Sequence, residues 1–221
     1  MNLQLSQQFL SELKNNNNRE WFNDNKEKYL EAKEEFAFYI DSLIPKIKEF
    51  DADIDVFSSQ ECVFRIFRDV RFSKDKSPYK PNFGAFIARG GRKSPFAGYY
   101  IHIEKGESFL GGGVYQPQPP ALFAIRNAIY ENPSKFKKIL KKPEFAARFK
   151  SLYGEKLKNG PRGFDKDFPD LEFLKHKHFI VTSPVEDSSF NAMNSQETVL
   201  DIMKVQMPFN HYLNQIILTT L

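Results

Sequence analysis

Apolar side chains recur at every third or fourth position through the first fifty residues, which predicts amphipathic helices. Ser6 is expected to be the N-cap of a first helix, and Asn18 the N-cap of a second. A longer helix follows, with apolar positions at Tyr29, Phe36, Ile40, Leu43, Ile44 and Ile47. Pro45 falls inside this helix and is expected to kink or break it.

The pattern changes in the middle of the chain. Segments rich in β-branched and aromatic residues predict four strands, at 63–67, 83–88, 99–104 and 108–115. Glycine-containing turns separate the later ones. Because parallel strands need long crossovers, connections this short favour antiparallel pairing.

Helical periodicity returns at Pro119, and Pro133 is expected to end the first helix of this region. Further along the chain the pattern predicts two short helices at 134–141 and 143–152, a long loop at 154–170 and a last strand at 178–182. A C-terminal helix capped by Ser195 and bent at Pro208 completes the prediction.

These elements predict an α+β fold, in which a mainly antiparallel central sheet is packed with N-terminal and C-terminal helices. We expect a single globular domain over residues 1–221. It should be helical over 1–60, form the sheet over about 62–116, and be mainly helical over 119–221.

The composition supports a large hydrophobic core and narrows the class of protein to an ordered, globular one. Of the 221 residues 41% are hydrophobic, and 23 Phe and 9 Tyr argue against disorder. One cysteine, Cys62, excludes an intramolecular disulfide and predicts a reducing compartment. We expect its thiol to be buried and inert. The first residues do not resemble a signal peptide, and no apolar run approaches a membrane span of about 20 residues. A cytoplasmic protein without a membrane partner is therefore predicted.

The net charge of +4 conceals an uneven distribution. Residues 1–64 have 7 Lys/Arg against 13 Asp/Glu, residues 65–80 have 6 against 2, and residues 135–178 have 13 against 6. Basic segments attract phosphates, carboxylates or a nucleic-acid backbone. The 135–178 segment therefore predicts either nucleic-acid binding or simply a solvated surface. No nucleic-acid motif accompanies it, so an anionic small molecule is the favoured partner.

The basic segment 65–80 contains the residues that point to a family. Eight positions, Arg65, Arg68, Asp69, Arg71, Phe72, Asp75, Lys76 and Tyr79, resemble the signature of bacterial conserved hypothetical proteins known as domain of unknown function 2461. The similarity extends through Asn82, the 100–104 strand, Gly111 to Gly113 and Arg126, and covers nearly the whole chain. Phe168 stands where the resemblance leads us to expect a histidine. The resemblance implies a fold and a site, but no reaction.

The residue types of this motif suit an anion site. Arg65, Arg68, Arg71 and Lys76 are the predicted anion ligands, since guanidinium groups pair with carboxylate and phosphate and keep their charge. If 63–71 is extended, Arg65, Asp69 and Arg71 face one way and Arg68 the other. Asp69 would hold one guanidinium in place, with Asn82, Gly112 and Arg126 in support. The alternative is a structural salt-bridge network that ties the sheet to the acidic N-terminal helices.

His102 and Glu104 are the candidate proton-transfer residues, because positions two apart on a strand project from the same face beside Tyr100. Asp75 and Tyr79 are further catalytic candidates. Two potential ligands are too few for a metal site, so none is predicted, and the sequence names no cofactor. The alternative is the polar side of a half-exposed strand.

Two further features have both a functional and a structural interpretation. The run from Gly111 to Gly113, followed by a helix, could bind phosphate with Arg126 turned toward it, or could permit a bulge or close packing. The C-terminal helix could pair with a partner in a non-catalytic interaction protein, or could form core, through Met203, Met207, Phe209, Tyr212, Leu213, Ile216 and Ile217. The oligomeric state is left open.

Overall fold

The computed structural model describes residues 2–71 and 74–221. Its N-terminal region is helical, as predicted, with helices α1 (Gln4–Asn15), α2 (Arg19–Asp24), α3 (Lys26–Phe50) and α4 (Ser59–Cys62). Asn18 caps α2, since its side chain accepts a hydrogen bond from the Trp21 amide at 2.9 Å. The predicted cap at Ser6 is wrong. Ser6 lies inside α1, where its hydroxyl donates to the Ala32 carbonyl at 2.9 Å and joins α1 to α3.

Pro45 does not break α3, which runs from Lys26 to Phe50 as one helix. Leu43, Ile44 and Ile47 are buried around it. Burial of this apolar face stabilises the helix on both sides of the proline, whose missing N–H would otherwise favour a break.

The sheet has five strands, β1 (Phe83–Ile87), β2 (Gly98–Ile103), β3 (Phe109–Val114), β4 (Leu152–Tyr153) and β5 (Phe179–Pro184). They pair in the order β1-β2-β3-β5-β4, and all four pairings are antiparallel. The α+β class and the antiparallel sheet are thus confirmed. The short β4 replaces the end of the predicted 143–152 helix.

The predicted strand at 63–67 is wrong. Val63 and Phe67 form only isolated bridges, to Ala85 and Tyr79 respectively. The reason is that the chain leaves the edge of β1 and folds back on itself. The Arg68 amide donates to the Pro78 carbonyl at 2.9 Å, which closes an irregular hairpin in place of a long strand.

The remaining helices are α5 (Pro119–Glu131), α6 (Pro133–Leu140), α7 (Pro143–Arg148), α8 (Leu171–Leu174) and α9 (Ser195–Ile217). Asn194, one residue before the predicted cap, occupies the N-cap position of α9. Pro208 lies within this helix, which continues past it. Within the described parts of the chain, no helix combines the length and apolar character needed to cross a membrane.

Helices cover one face of the sheet and leave the other open. Alternate strand residues such as Ala85, Tyr99 and Ile101 are fully buried under α3 and α9, while Phe86 and Tyr100 are only partly buried on the opposite face. This one-sided burial is the pattern expected of an antiparallel sheet with one solvated face. Of the apolar positions singled out in the C-terminal helix, Met203, Phe209, Tyr212, Leu213 and Ile217 are buried in this core. Met207 and Ile216 are partly buried and pack against it.

At Gly112 a residue of α9 approaches the backbone of the sheet closely. The φ of Gly112 is +152°, and a Cβ there would lie 2.3 Å from Gln206 Nε2 and 1.9 Å from the Gly98 carbonyl oxygen. The Gln206 side chain donates to that same carbonyl at 3.1 Å. The glycine run therefore lies in the paired strand β3, and the structure shows the close-packing role for it.

Candidate functional site

The described residues of the motif, 65–71 and 74–79, form a hairpin beside the edge of the sheet whose charged side chains are mostly exposed. Residues 66–68 pair with residues 78–80 through the Arg68–Pro78 hydrogen bond and a 2.8 Å bond from the Lys80 amide to the Ile66 carbonyl. No strand forms over residues 63–71, and the backbone pairing of this segment with residues 78–80 involves only residues 66–68. Phe72 of the motif lies outside the described residues.

The charged groups of this hairpin pair mainly with one another. Arg68 donates to the Asp75 carboxylate and to Ser77, while Arg71 makes a two-bond pair with Asp69 at 2.9 and 2.6 Å. The hydrogen bonds from Arg71 hold the pKa of Asp69 down at about 2. These ion pairs are local and exposed, so among the described residues they do not tie the sheet to the acidic helices. Lys76 donates to the Val70 carbonyl at 2.9 Å, within the same hairpin.

Tyr79 joins the hairpin to the N-terminal helices. Its ring is buried and stacks on Phe22 of α2, with 3.9 Å between ring centroids. The Asn17 side chain accepts from the Tyr79 amide at 3.1 Å and donates to its carbonyl at 2.9 Å. Aromatic stacking and a side-chain amide thus join the hairpin to the N-terminal helices.

A cavity of about 800 Å³ lies on the open face of the sheet. Aromatic residues form much of its wall, at Phe64, Phe86, Tyr100, Phe109, Tyr115 and Tyr153. Lys80, Arg92 and Lys93 also line it, and no Asp or Glu side chain does so among the described residues. Its volume lies within the usual range for small-molecule sites, about 300–1,000 Å³.

Lys80 connects the hairpin with this cavity. The side chain is half-buried, and its ammonium group donates to the Arg65 carbonyl at 3.1 Å. Burial lowers the pKa of Lys80, and the positive charges of Arg65 and Arg68 lower it further. A cation held near two guanidinium groups, with no carboxylate paired to it in the described structure, is a favourable place for an anion.

His102 and Glu104 lie on the open face, as predicted, and form a hydrogen-bonded line with Tyr100 along β2. The Tyr100 hydroxyl is 3.2 Å from His102 Nδ1, and His102 Nε2 is 3.1 Å from Glu104 Oε2. The other Glu104 oxygen accepts from Lys14 at 3.3 Å. Burial lowers the pKa of His102 and raises that of Tyr100 to about 12. The lowered pKa leaves the His102 imidazole neutral at neutral pH, and the raised pKa keeps the Tyr100 phenol protonated. Tyr100 is one of the residues that line the cavity.

The remaining predicted residues lie elsewhere. Asp75 is bonded to Arg68 and Ser77 in the hairpin, and Asn82 lies immediately before β1. Arg126 does not turn toward the glycine run. It is buried in α5 and donates to the His176 carbonyl at 3.0 Å.

Sequence reasoning missed most of the charged lining of the cavity. In the sequence, Lys80 is one of the basic residues of the 65–80 segment and has no other distinguishing feature. Arg92 and Lys93 follow the turn at Gly90 and Gly91, and they belong to no recognisable motif. An Arg-Lys pair after a glycine turn is common on solvated surfaces. Only the folding of this turn over the sheet brings these cations to the cavity.

A family model described as "Conserved hypothetical protein (DUF2461)" matches residues 6–212. The match covers the helices of the N-terminal region, the sheet and most of α9. No curated protein matches the chain, and no solved structure does.

Proposed function

The chain belongs to the DUF2461 family of conserved hypothetical proteins, and within that family we propose that it binds an anionic small molecule in the cavity on the open sheet face. The anion is a phosphate or a carboxylate. The Arg65–Tyr79 hairpin and the adjoining Lys80 supply positive charge beside the cavity, through Lys80, Arg65 and Arg68.

One observation carries this proposal, namely the chemistry of the cavity wall. Three cationic side chains, Lys80, Arg92 and Lys93, line it without an Asp or Glu side chain among its described lining residues. Other lysines of the described structure, such as Lys14, Lys137 and Lys177, do have carboxylate partners. A ligand with a negative group and an apolar body would complement both the cations and the aromatic wall.

The Tyr100, His102 and Glu104 line offers proton transfer to such a ligand. A carboxylate can only accept, so His102 Nε2 holds the ring proton and Nδ1 accepts from the Tyr100 hydroxyl. We infer that the remaining lone pairs of the phenol oxygen are open to a ligand in the cavity, because Tyr100 is one of the lining residues. Tyr100 can accept a proton from a ligand while it passes its own to His102, and Glu104 stabilises the resulting imidazolium. Asp75 and Tyr79 stay predictions as proton-transfer groups.

Calorimetric titration with phenyl phosphate and with benzoate tests whether the chain binds anions. Benzyl alcohol, which has the same kind of ring but no charge, is the matched neutral ligand. Lys80→Met removes the charge at the cavity and Arg68→Met removes one beside it. Lys138→Met is the control, because Lys138 is exposed on α6, away from the cavity lining. We expect the anions to bind better than the alcohol, and Lys80→Met to weaken anion binding about 10-fold or more, since hydrogen bonds to charged groups contribute about 1.5–3 kcal/mol.

Equal binding of the anions and the alcohol would contradict the proposal, as would unchanged anion affinity in Lys80→Met. For Arg68→Met, anion binding lost at an unchanged melting temperature supports a site, whereas wholesale unfolding supports a structural role. Nucleic-acid binding through 135–178 stays an alternative prediction. Several cations of that segment are already paired, for example Lys137 with Asp170 at 2.8 Å. Steeply salt-dependent oligonucleotide binding that is weakened by Lys138→Met would favour it.

A further inference from the structure

Three side chains that commonly bind metal ions converge under the helix-covered face of the sheet, on the side opposite the cavity. They are Asp51 at the end of α3, Asp53 two residues later and His211 on α9. One donor atom from each lies within 4.8 Å of the other two. The carboxylates and the imidazole are about 160 positions apart in the sequence, so the packing of α9 against the end of α3 creates this cluster.

Asp51 is a buried carboxylate, with 2% of its surface exposed. Its Oδ2 accepts a 2.6 Å hydrogen bond from the hydroxyl of Tyr99, which is itself fully buried on β2. Its Oδ1 points to His211 Nε2 at 3.0 Å. Metal sites are usually supported in this way, because an outer hydrogen bond to a ligating carboxylate fixes its orientation.

One of the donor distances matches that of a shared cation, and a second is about half an ångström too long. An ion about 2.1 Å from each of three donors places those donors about 3.0–3.4 Å apart. His211 Nε2 is 3.0 Å from Asp51 Oδ1 and 3.9 Å from Asp53 Oδ2. The Asp53 side chain is about half exposed, at 54%, so a small rotation can close the longer distance.

We propose that Asp51, Asp53 and His211 form a binding site for a divalent transition-metal ion, with Zn²⁺ as the expected occupant. An imidazole nitrogen beside two carboxylate oxygens suits zinc and its neighbours in the first transition series, whereas Mg²⁺ and Ca²⁺ prefer oxygen ligands alone. Three protein ligands leave a coordination position open. His211 and Asp53 are 36% and 54% exposed, so that position faces solvent.

Binding of the metal requires a change of tautomer at His211. With Asp51 as an acceptor, His211 Nε2 must carry a hydrogen to make the 3.0 Å contact in the metal-free protein. The metal takes the nitrogen lone pair that this hydrogen occupies. The neutral ring must therefore carry its hydrogen on Nδ1 when the ion binds, so that the Nε2 lone pair is free for the metal.

The test is titration of the purified, chelator-treated chain with Zn²⁺ by calorimetry and with Co²⁺ by visible absorption. We expect one ion per chain and Co²⁺ bands typical of nitrogen and oxygen ligands. Asp53→Ala and His211→Ala each remove a ligand and should weaken binding by at least about 10-fold. Tyr99→Phe removes the hydrogen bond that orients a ligating carboxylate and should weaken binding about 10-fold, as the loss of such an outer hydrogen bond usually does. Asp201→Asn is the matched control, because Asp201 is an exposed carboxylate on the same helix and lies outside the cluster.

Asp53 and His211 are partly exposed, so these variants are expected to fold, which circular dichroism checks. Zn²⁺ affinity that is unchanged in both Asp53→Ala and His211→Ala would overturn the proposal. Failure of the wild-type chain to bind either ion stoichiometrically would also overturn it. Should either variant unfold, broadening of the His211 ring signals of the wild-type chain by substoichiometric Mn²⁺ decides the question, and absence of broadening counts against the site.

Discussion

The phenol oxygen of Tyr100 lies 3.2 Å from Nδ1 of His102. Tyr100, a residue that lines the cavity, is therefore the first member of the hydrogen-bonded line that continues through His102 to Glu104. The two side chains are two positions apart on β2, so strand geometry alone places them on one face. Phe109 stacks on the imidazole with 4.6 Å between ring centroids. This packing keeps the ring partly buried, and burial determines its protonation.

We predict that His102 titrates below the ordinary histidine pKa of about 6.5, because burial disfavours the imidazolium more than Glu104 favours it. The unfolded chain takes up a proton near pH 6.5 and the folded chain only at lower pH. Stability is therefore present above about pH 6.5 and is lost as the pH falls through the lowered pKa. Chemical-shift titration of the His102 ring checks the pKa directly.

His102→Gln isolates this contribution from that of His176, whose buried ring has a pKa lowered to about 4. The variant should lose less stability in acid than the wild-type chain. A His102 midpoint at or above pH 6.5 would show that Glu104 dominates and that the imidazolium is present at neutral pH.

Tyr79 should contribute to stability through its ring and hardly at all through its hydroxyl. Tyr79→Ala removes the stacking on Phe22 from a buried position and should lower the free energy of unfolding by about 3–5 kcal/mol. Tyr79→Phe keeps the stacking and should cost less than about 1 kcal/mol. Urea denaturation of both variants measures the difference. Equal losses would assign a structural role to the hydroxyl and contradict this interpretation.

Gly112→Ala should be strongly destabilising, by about 3 kcal/mol or more, because the new methyl group meets the Gly98 carbonyl and Gln206 in a backbone conformation that favours glycine. Gly106→Ala is the control. Gly106 also has a positive φ, +75°, but nothing lies within 4 Å of a Cβ there. Gly106→Ala should lower the free energy of unfolding by only about 1 kcal/mol, because alanine disfavours a left-handed backbone conformation. Similar melting temperatures for the two variants would argue against close packing at Gly112.

Cys62 should not react with a thiol reagent in the folded protein. The side chain is fully buried, and burial raises its pKa to about 12, so the nucleophilic thiolate is scarce at neutral pH. Ellman's reagent at pH 8 should label the urea-unfolded chain fully and the native chain only at the rate of unfolding. Rapid labelling under native conditions would contradict the predicted inert thiol.

Much of the fold follows from local sequence patterns. Periodicity predicts the helices of the N-terminal region, four of the five strands and the one-sided burial of α9, because these features depend on residues a few positions apart. It also places Tyr100, His102 and Glu104 on one face, since alternation along a strand is a local property. The 63–67 segment has the composition of a strand, yet the hairpin bonds to residues 78–80 give it another structure.

The sites themselves depend on contacts between distant parts of the chain. The sequence determines that residues 65–80 are basic, but the tertiary structure decides that Lys80 reaches a cavity that Arg92 and Lys93 also line. It alone brings His211 to Asp51. The physical reason is that hydrophobic periodicity reports which side of an element is buried, and not which elements meet. The packing of the whole core decides which elements meet. Its long-range contacts bring together charged residues that are far apart in the sequence.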